Sequence, residues 1–193
     1  MAKERQIRNL VIIGFMATGK SSVGKSVAKR LGFNFLDTDS MIETRLDRTI
    51  SDIFANEGET WFRAYEHKLV LELKNYSNFV ISTGGGLGAS QVNMDSLKEH
   101  ALVVCLWATP DLIWQRAKKH SHRPLLQDPD PLGKIRTLLK AREPVYKQAD
   151  VLINTDRRPI RTVVQHVVMQ FKSACKLVSH ENSNSGTGIQ VRI

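Results

Sequence analysis

The chain lacks the features that mark secreted or membrane proteins. It contains two cysteines, Cys105 and Cys175, which are too few for a disulfide framework. Its longest apolar stretches, 10–13 and 102–107, are far shorter than the roughly 20 residues that cross a bilayer. The charged segment 1–8 contains no apolar signal region. We therefore expect a soluble cytoplasmic protein without a membrane partner, in which Cys105 is an inert buried thiol.

A concentrated basic segment is also missing. The 193 residues carry a net charge of +9, but the positive residues are dispersed and no basic run is interleaved with aromatics. A site for a triphosphate and an anionic substrate would equally require basic residues, so the charge alone decides little. We expect no nucleic-acid partner. The absence of an Asn-Lys-x-Asp motif disfavours a GTPase.

A glycine-spaced loop is the most informative feature that is present. Residues 14–21, Gly-Phe-Met-Ala-Thr-Gly-Lys-Ser, fit the phosphate-binding pattern G-x-x-x-x-G-K-[ST]. Backbone N–H groups of such a loop surround a β-phosphate, Lys20 adds charge, and the Ser21 hydroxyl is a ligand for Mg²⁺. An apolar run at 10–13 precedes the loop and a helical pattern at 20–31 follows it. This is the strand–loop–helix setting that the motif requires.

A second frame of the same pattern, residues 19–26, overlaps the first. It would put its loop where the helical pattern already runs, and no strand precedes it. We therefore favour the first frame. Gly24 is then interpreted as a small residue that lets the helix pack closely, and Lys25 as a solvated surface charge.

Short apolar strands alternate with helical patterns, which predicts one α/β domain with helices on both faces of a parallel sheet. We assign residues 1–176 to this domain, with a lid at about 117–130 and a disordered polar tail at 177–193. The helix that begins at 131 is expected to stop near Pro144. The predicted strands are 10–13, 33–37, 78–83, 101–107 and 151–153, and the predicted helices are 20–31, 39–46, 51–56, 59–75, 110–119, 131–142 and 160–176.

Ligands of parallel sheets bind at the carboxyl ends of the strands. Asp37 and Asp39 follow the second predicted strand and Gly84–Gly86 follow the third. The aspartates could hold Mg²⁺ through water or orient a hydroxyl, or simply cap the next helix. The glycines would let a ligand approach backbone N–H groups, or would form only a flexible turn, and the sequence alone does not favour either interpretation.

Three arginines lie in short motifs, and an arginine fork suits carboxylate and phosphate. Surface arginines are common, so each taken alone would be interpreted as a solvated residue. The order of the motifs, however, closely resembles the shikimate kinases across residues 8–172. The motifs are the phosphate loop, Leu-Asp-Thr-Asp, Glu-Gly-Glu-x-x-Phe-Arg (Arg63), Thr-Gly-Gly-Gly, Arg-Pro-Leu-Leu (Arg123) and Arg-Glu-Pro-x-Tyr (Arg142).

This resemblance implies a three-layer α/β/α P-loop kinase of the nucleoside-monophosphate-kinase type. It would have a central five-stranded parallel sheet, a helical substrate-binding region and a mobile lid. The implied reaction transfers the γ-phosphoryl group of ATP to the 3-hydroxyl of shikimate, with Mg²⁺. We expect a monomer whose partner is this small molecule.

The resemblance also implies residue roles. Lys20, Asp39 and Arg123 would be catalytic, with Asp39 the base for the attacking hydroxyl and Arg123 brought onto the transferring phosphate by the lid. Ser21 and, through water, Asp37 would hold Mg²⁺. The residues implied to bind shikimate are Asp39, Arg63, Gly84, Gly85, Gly86 and Arg142, and those implied to bind ATP are Gly14, Ala17, Thr18, Gly19, Lys20, Ser21, Ser22, Arg116, Arg123 and Pro159.

Two other functions stay open at this point. One is a kinase of the same fold that acts on another polyol acid such as gluconate. The other is a nucleotide-sensing or nucleic-acid-binding module without turnover. His120 and His122 could suggest a metal in the lid, but no further cysteine or acidic cluster lies nearby, so we expect none there.

Overall fold

Five parallel strands form the centre of the molecule in this computed structural model, which describes residues 5–118 and 128–184, with side chains described as far as 176. The strand order is β2-β3-β1-β4-β5, and each neighbouring pair is parallel. This confirms the predicted fold class. The strands are β1 Asn9–Ile13, β2 Asn34–Asp37, β3 Phe79–Ser82, β4 Ala101–Trp107 and β5 Val151–Asn154.

Helices cover both faces of the sheet. Because successive strand residues point to opposite faces, Leu10 and Ile12 belong to one buried cluster, which also includes residues of α1 and α7. Val11 and Ile13 belong to the other cluster, which includes residues of α3, α4, α5 and α6. The helices are α1 Lys20–Leu31, α2 Thr38–Leu46, α3 Ile50–Leu73, α4 Gln91–Lys98, α5 Pro110–Ala117, α6 Pro131–Tyr146 and α7 Ile160–Asn184, with a 3₁₀ turn at Leu87–Ala89.

The two helices predicted at 51–56 and 59–75 form the single element α3, with a break at Gly58. Gly58 has φ 82°, a left-handed conformation that glycine adopts without strain. Beyond the break, Phe62 packs with Ile42 of α2 in a small separate core. The pair α2–α3 therefore forms a helical region beside the sheet.

Besides α3, the helices that differ most from the sequence-based prediction are α4, α6 and α7. Helix α4 was not predicted, because its apolar signal is limited to Met94 and Leu97 on the buried side. Helix α6 continues through Pro144 to Tyr146, since a proline in the last turn removes only one hydrogen bond close to the helix end. Helix α7 continues to Asn184 instead of ending at 176, and the rest of the predicted tail lies outside the described residues.

Cys105 lies on β4 with no exposed surface. Burial raises the pKa of its thiol to about 12, so the group stays protonated and unreactive. This confirms the sequence-based interpretation. Within 5–118 and 128–184, no helix is long and apolar enough to cross a membrane.

Candidate active site

A cavity of about 830 Å³ opens at the carboxyl ends of β1, β2 and β3. Many of the residues predicted to form the site line it, although they come from separate parts of the chain. The lining residues are Met16, Ala17, Gly19, Lys20, Ser21, Ser22, Lys25, Phe35, Asp37, Asp39, Ser40, Thr83, Gly85 and Arg116.

The phosphate loop connects β1 to α1, as the first frame predicts. Gly14 has φ 137°, and a Cβ there would collide with the carbonyl oxygen of Leu106 on β4. Gly19 has φ 96° and open space where a Cβ would be, so its glycine is required by conformation. The Lys20 Nζ donates to the carbonyl oxygen of Phe15 at 2.9 Å and is largely buried. The loop thus holds an ammonium group at the start of α1.

The second frame lies inside α1, where it cannot form a loop. A Cβ on Gly24 would come within 2.7 Å of the Phe35 ring, so the glycine permits close packing of α1 on β2, as predicted. Lys25 is exposed, but it also lines the cavity.

Asp37 joins the phosphate loop to the end of β2. Its Oδ2 accepts a hydrogen bond from Ser21 Oγ at 2.8 Å, and its Oδ1 accepts one from the backbone N–H of Asp39 at 3.2 Å. Asp37 therefore caps α2 and also presents a carboxylate beside the Ser21 hydroxyl. The capping and metal-binding interpretations are compatible. Carboxylate and hydroxyl oxygens of this kind suit Mg²⁺.

The triple glycine after β3 lies against two predicted substrate-binding side chains. A Cβ on Gly84 would collide with the Asp39 carboxylate, and one on Gly86 would collide with the Arg63 guanidinium. The Gly84 N–H donates to Thr38 Oγ1 at 2.9 Å, which ties the loop to the start of α2. Close approach therefore favours glycine at 84 and 86, where any Cβ would displace the Asp39 carboxylate or the Arg63 guanidinium, whereas a Cβ on Gly85 would make only ordinary contacts.

Arg142 reaches the same loop from α6. Its Nη1 donates to the carbonyl oxygen of Gly85 at 3.2 Å, and its guanidinium carbon is 5.2 Å from the centroid of the Phe15 ring. Arg63 on α3 and Arg142 on α6 thus both lie against Gly84–Gly86, although they are far apart in sequence. Their two positive charges converge beside the Asp39 carboxylate.

Glu66 is a site residue to which the sequence analysis gave no role. Its Oε2 accepts from Arg63 Nη1 at 2.7 Å, and its side chain is only 1% exposed. Burial raises the pKa of this carboxyl to about 7; the charge of Arg63 opposes that rise and the charge of Asp39 adds to it. The sequence did contain a signal for this contact, because residues three apart on a predicted helix are neighbours and can form an ion pair.

Tyr146 was also given no role. Its hydroxyl donates to the carbonyl oxygen of Gly85 at 2.6 Å, and its side chain is fully buried. Burial raises the pKa of this phenol to about 12, so the group stays a donor at neutral pH. Tyr146 therefore fixes the middle of the triple glycine from α6. Its place in the Arg-Glu-Pro-x-Tyr motif was the only available signal.

The predicted adenine residues lie at one side of the phosphate loop. Arg116 Nη2 donates to the carbonyl oxygen of Thr155 at 3.1 Å, next to a second cavity of about 200 Å³. Pro159 stands between Arg158 and Ile160, which both line this second cavity.

Arg123, His120 and His122 lie outside the described residues, as does most of the predicted lid. In the part of the chain that is described, no group of three or more His, Cys, Asp or Glu could hold a metal ion. A Mg²⁺ ion carried by nucleotide phosphates does not require such a group.

The fold and these contacts define a P-loop phosphotransferase. A phosphate loop lies between β1 and α1, and the cavity beside it is lined by the acidic pair Asp37 and Asp39 and by Gly85. Arg63 and Arg142 do not line this cavity but lie against Gly84–Gly86. The family model for shikimate kinase matches residues 16–172, and the chain belongs to the shikimate kinase family.

Named relatives agree with this assignment. A shikimate kinase of Thermoanaerobacter pseudethanolicus is 42% identical over 165 residues, covering 86% of this chain and 96% of the relative. One of Deinococcus radiodurans is also 42% identical, covering 86% of this chain and 84% of the relative. The solved shikimate kinase of Acinetobacter baumannii, in complex with shikimate, has a TM-score of 0.82 and 37% identity, covering 87% of this chain and 94% of that one.

Proposed function

We propose that this chain transfers the γ-phosphoryl group of ATP to the 3-hydroxyl of shikimate, giving shikimate 3-phosphate and ADP. The observation that carries the proposal is the convergence of Asp39, Arg63 and Arg142 on Gly84–Gly86, beside the phosphate loop. In this acceptor site, the arginines supply positive charge for a carboxylate of the substrate, and Asp39 supplies an acceptor for its hydroxyls. It matches the chemistry of shikimate, which bears one carboxylate and several hydroxyls on a ring.

The acceptor is bound at both ends. Arg63 and Arg142 bind its carboxylate, helped by backbone N–H groups of Gly85 and Gly86. Glu66 holds the Arg63 guanidinium in place through the contact of 2.7 Å. Asp39, on the side of the phosphate loop, orients the attacking hydroxyl and accepts its proton.

The phosphate loop binds the donor. Lys20 neutralises charge on the β- and γ-phosphates, and Arg116 packs on the adenine opposite Pro159. Arg123, from the lid that the family resemblance implies, adds a second positive charge at the transferring group. Such a reaction depends mainly on alignment of the nucleophile and on charge neutralisation, which these residues supply. Exclusion of water protects ATP from hydrolysis.

Mg²⁺ fits the donor side of the cavity. The Ser21 hydroxyl and the Asp37 carboxylate are 2.8 Å apart, and both are hard oxygen ligands. Ser21 would hold the ion directly and Asp37 through water. When bound, Mg²⁺ neutralises phosphate charge. Monomeric state, cytoplasmic location and the absence of a nucleic-acid partner stay predictions from the sequence.

Gluconate phosphorylation is the alternative that the fold leaves open. A solved gluconokinase of Sinorhizobium meliloti has a TM-score of 0.58 and 16% identity, which shows the shared fold alone. The arginine pair on Gly84–Gly86 and the relatives at about 40% identity favour shikimate. A substrate panel that includes both acceptors distinguishes the two.

We predict that Asp39→Asn lowers shikimate-dependent ADP release at least about 100-fold, because the base and its charge are lost. The dissociation constant for ATP should change little, since Asp39 serves the acceptor. Coupled ADP detection with and without shikimate gives the rate, and calorimetry gives ATP binding. Asp47→Asn, at the other end of α2, is the matched control, because asparagine also accepts its left-handed conformation of φ 49°. Near-normal activity of Asp39→Asn would refute this role.

A further inference from the structure

Lys25 is the charged residue of the cavity lining to which nothing so far assigns a role in the reaction. It is exposed, it lines the same cavity as Ser21 and Asp37, and within the described residues it forms no ion pair. Its Nζ lies 5.8 Å from the centroid of the Phe35 ring, which also lines the cavity.

The packing of α1 on β2 explains this position. Ser21 and Lys25 are four residues apart and lie on one face of α1, while Phe35 and Asp37 are two apart and lie on one face of β2. Ser21 contacts Asp37, and one turn further along Lys25 contacts Phe35. Gly24 permits this because any Cβ there would press on Phe35. The contact between Lys25 and Phe35 therefore lies beside the contact between Ser21 and Asp37, the residues predicted to hold Mg²⁺.

The geometry of a helix puts the Lys25 side chain within reach of the phosphate loop. Cα–Cβ bonds of a helix tilt toward its N-terminus, which for α1 is the phosphate loop. The four-carbon stem of lysine is flexible, and its contact with an aromatic ring is weak enough to be exchanged for a phosphate oxygen. Lys29, one turn later on α1, is also exposed but does not line the cavity.

We propose that Lys25 is a second phosphate-binding lysine of the site, which leaves the Phe35 ring to bind the polyphosphate of Mg²⁺-ATP on the side of Ser21 and Asp37. Lys20 binds the phosphates from within the loop, and Lys25 adds a solvent-side charge that raises nucleotide affinity. The inference rests on the proposed use of ATP as the phosphoryl donor.

The test is the dissociation constant of ATP, measured by calorimetry with excess Mg²⁺ and no acceptor. Lys25→Met should raise this constant about three- to tenfold, as expected for the loss of one charge-assisted contact, while Lys29→Met should leave it within about 1.5-fold. Lys25→Arg should restore most of the affinity. The affinity of the wild type should also fall more steeply with salt than that of Lys25→Met.

Steady-state rates add a second readout. Lys25→Met should raise KM for ATP and leave kcat within about twofold, because the contact forms in the ground state as well as in the transition state. Equal weakening by Lys25→Met and Lys29→Met would overturn the proposal, since only long-range charge would then matter. No weakening by Lys25→Met would overturn it as well, because Lys25 would then make no contact with the nucleotide. The thermal midpoint of each variant shows whether it folds. If Lys25→Met folds poorly, Lys25→Gln tests the same effect on the dissociation constant and KM for ATP.

The experiments distinguish a failure of the proposed function from a failure of this inference. ATP binding is measured without shikimate, so its dependence on Lys25 can be read whether or not shikimate is the acceptor. A wild type that binds ATP but releases no additional ADP with shikimate contradicts the proposed acceptor alone.

Discussion

Glu66 sets the electrostatics at the acceptor end of the site. Its side chain is buried between Arg63, which it contacts at 2.7 Å, and the charges of Asp39 and Arg142. A buried carboxylate requires a partner, and Arg63 supplies it. The same contact aims the Arg63 guanidinium at Gly86. Glu66 therefore both balances the charge of Arg63 and sets the orientation in which Arg63 would meet the substrate.

The raised pKa of Glu66 predicts a pH effect on stability. The pKa of this carboxyl rises from 4.5 in the unfolded chain to about 7 in the folded protein, so between these values the folded state binds more protons. The contribution of Glu66 to stability is therefore fully present below 4.5 and is lost as the pH rises through about 7. Glu66→Gln should remove this dependence.

The measurement is the free energy of unfolding in urea, from pH 5 to pH 8, for the wild type and Glu66→Gln. We expect the difference between them to shift in favour of the variant as the pH rises. Glu59→Gln is a matched control, because Glu59 also contacts Arg63, at 2.9 Å, but is 67% exposed. Parallel curves for wild type and Glu66→Gln would show that this carboxyl does not titrate in the range.

At the scale of elements, the 3₁₀ turn Leu87–Ala89 determines where the triple glycine lies. Gly88 in this turn packs directly on β1, since a Cβ there would come within 2.7 Å of the Ile13 Cβ. Ile13 is fully buried in the sheet and cannot move aside. The turn, and Gly84–Gly86 before it, are therefore positioned by contact with a core strand.

Gly88→Ala should push the turn away from β1 and destabilise the protein by about 1–3 kcal/mol, the usual cost of overpacking. KM for shikimate should rise as well, because Gly84–Gly86 are displaced from Arg63 and Arg142. Urea unfolding and steady-state kinetics measure the two effects. Gly32→Asn, at an open left-handed position with φ 70°, controls for the loss of a glycine. Unchanged stability of Gly88→Ala would contradict this account of the turn.

At the scale of the whole molecule, the phosphate loop joins β1, α1 and β2 in one ligand site. Binding of Mg²⁺-ATP should therefore stabilise the folded protein, by about 2.7 kcal/mol at 100 times the dissociation constant. The rise in thermal midpoint with ATP measures this, and a chelator should reduce it by removing Mg²⁺. Lys20→Ala should lose most of the rise, while Lys29→Met keeps it. An equal rise in Lys20→Ala would argue against nucleotide binding at this loop.

Much of the fold could be predicted from the chain because its signals are local. The apolar runs of β1 and β4 and the helical pattern of α1 lie within short windows, and the phosphate loop depends on glycines placed where φ is positive. Helix α4 and the passage of α6 through Pro144 could not be predicted. Both are decided by packing: Met94 and Leu97 fill the core, and Tyr146 bonds to Gly85.

By itself, the sequence determined the phosphate loop, the alternation of strands and helices, and the motifs that resemble shikimate kinases. Each depends on neighbouring residues or on their order. Only the tertiary structure decided that Glu66 holds Arg63, that Tyr146 fixes Gly85 and that Lys25 reaches the cavity. The physical reason is that burial, pKa and contact depend on residues distant in the chain, which meet only when the helices pack on the sheet.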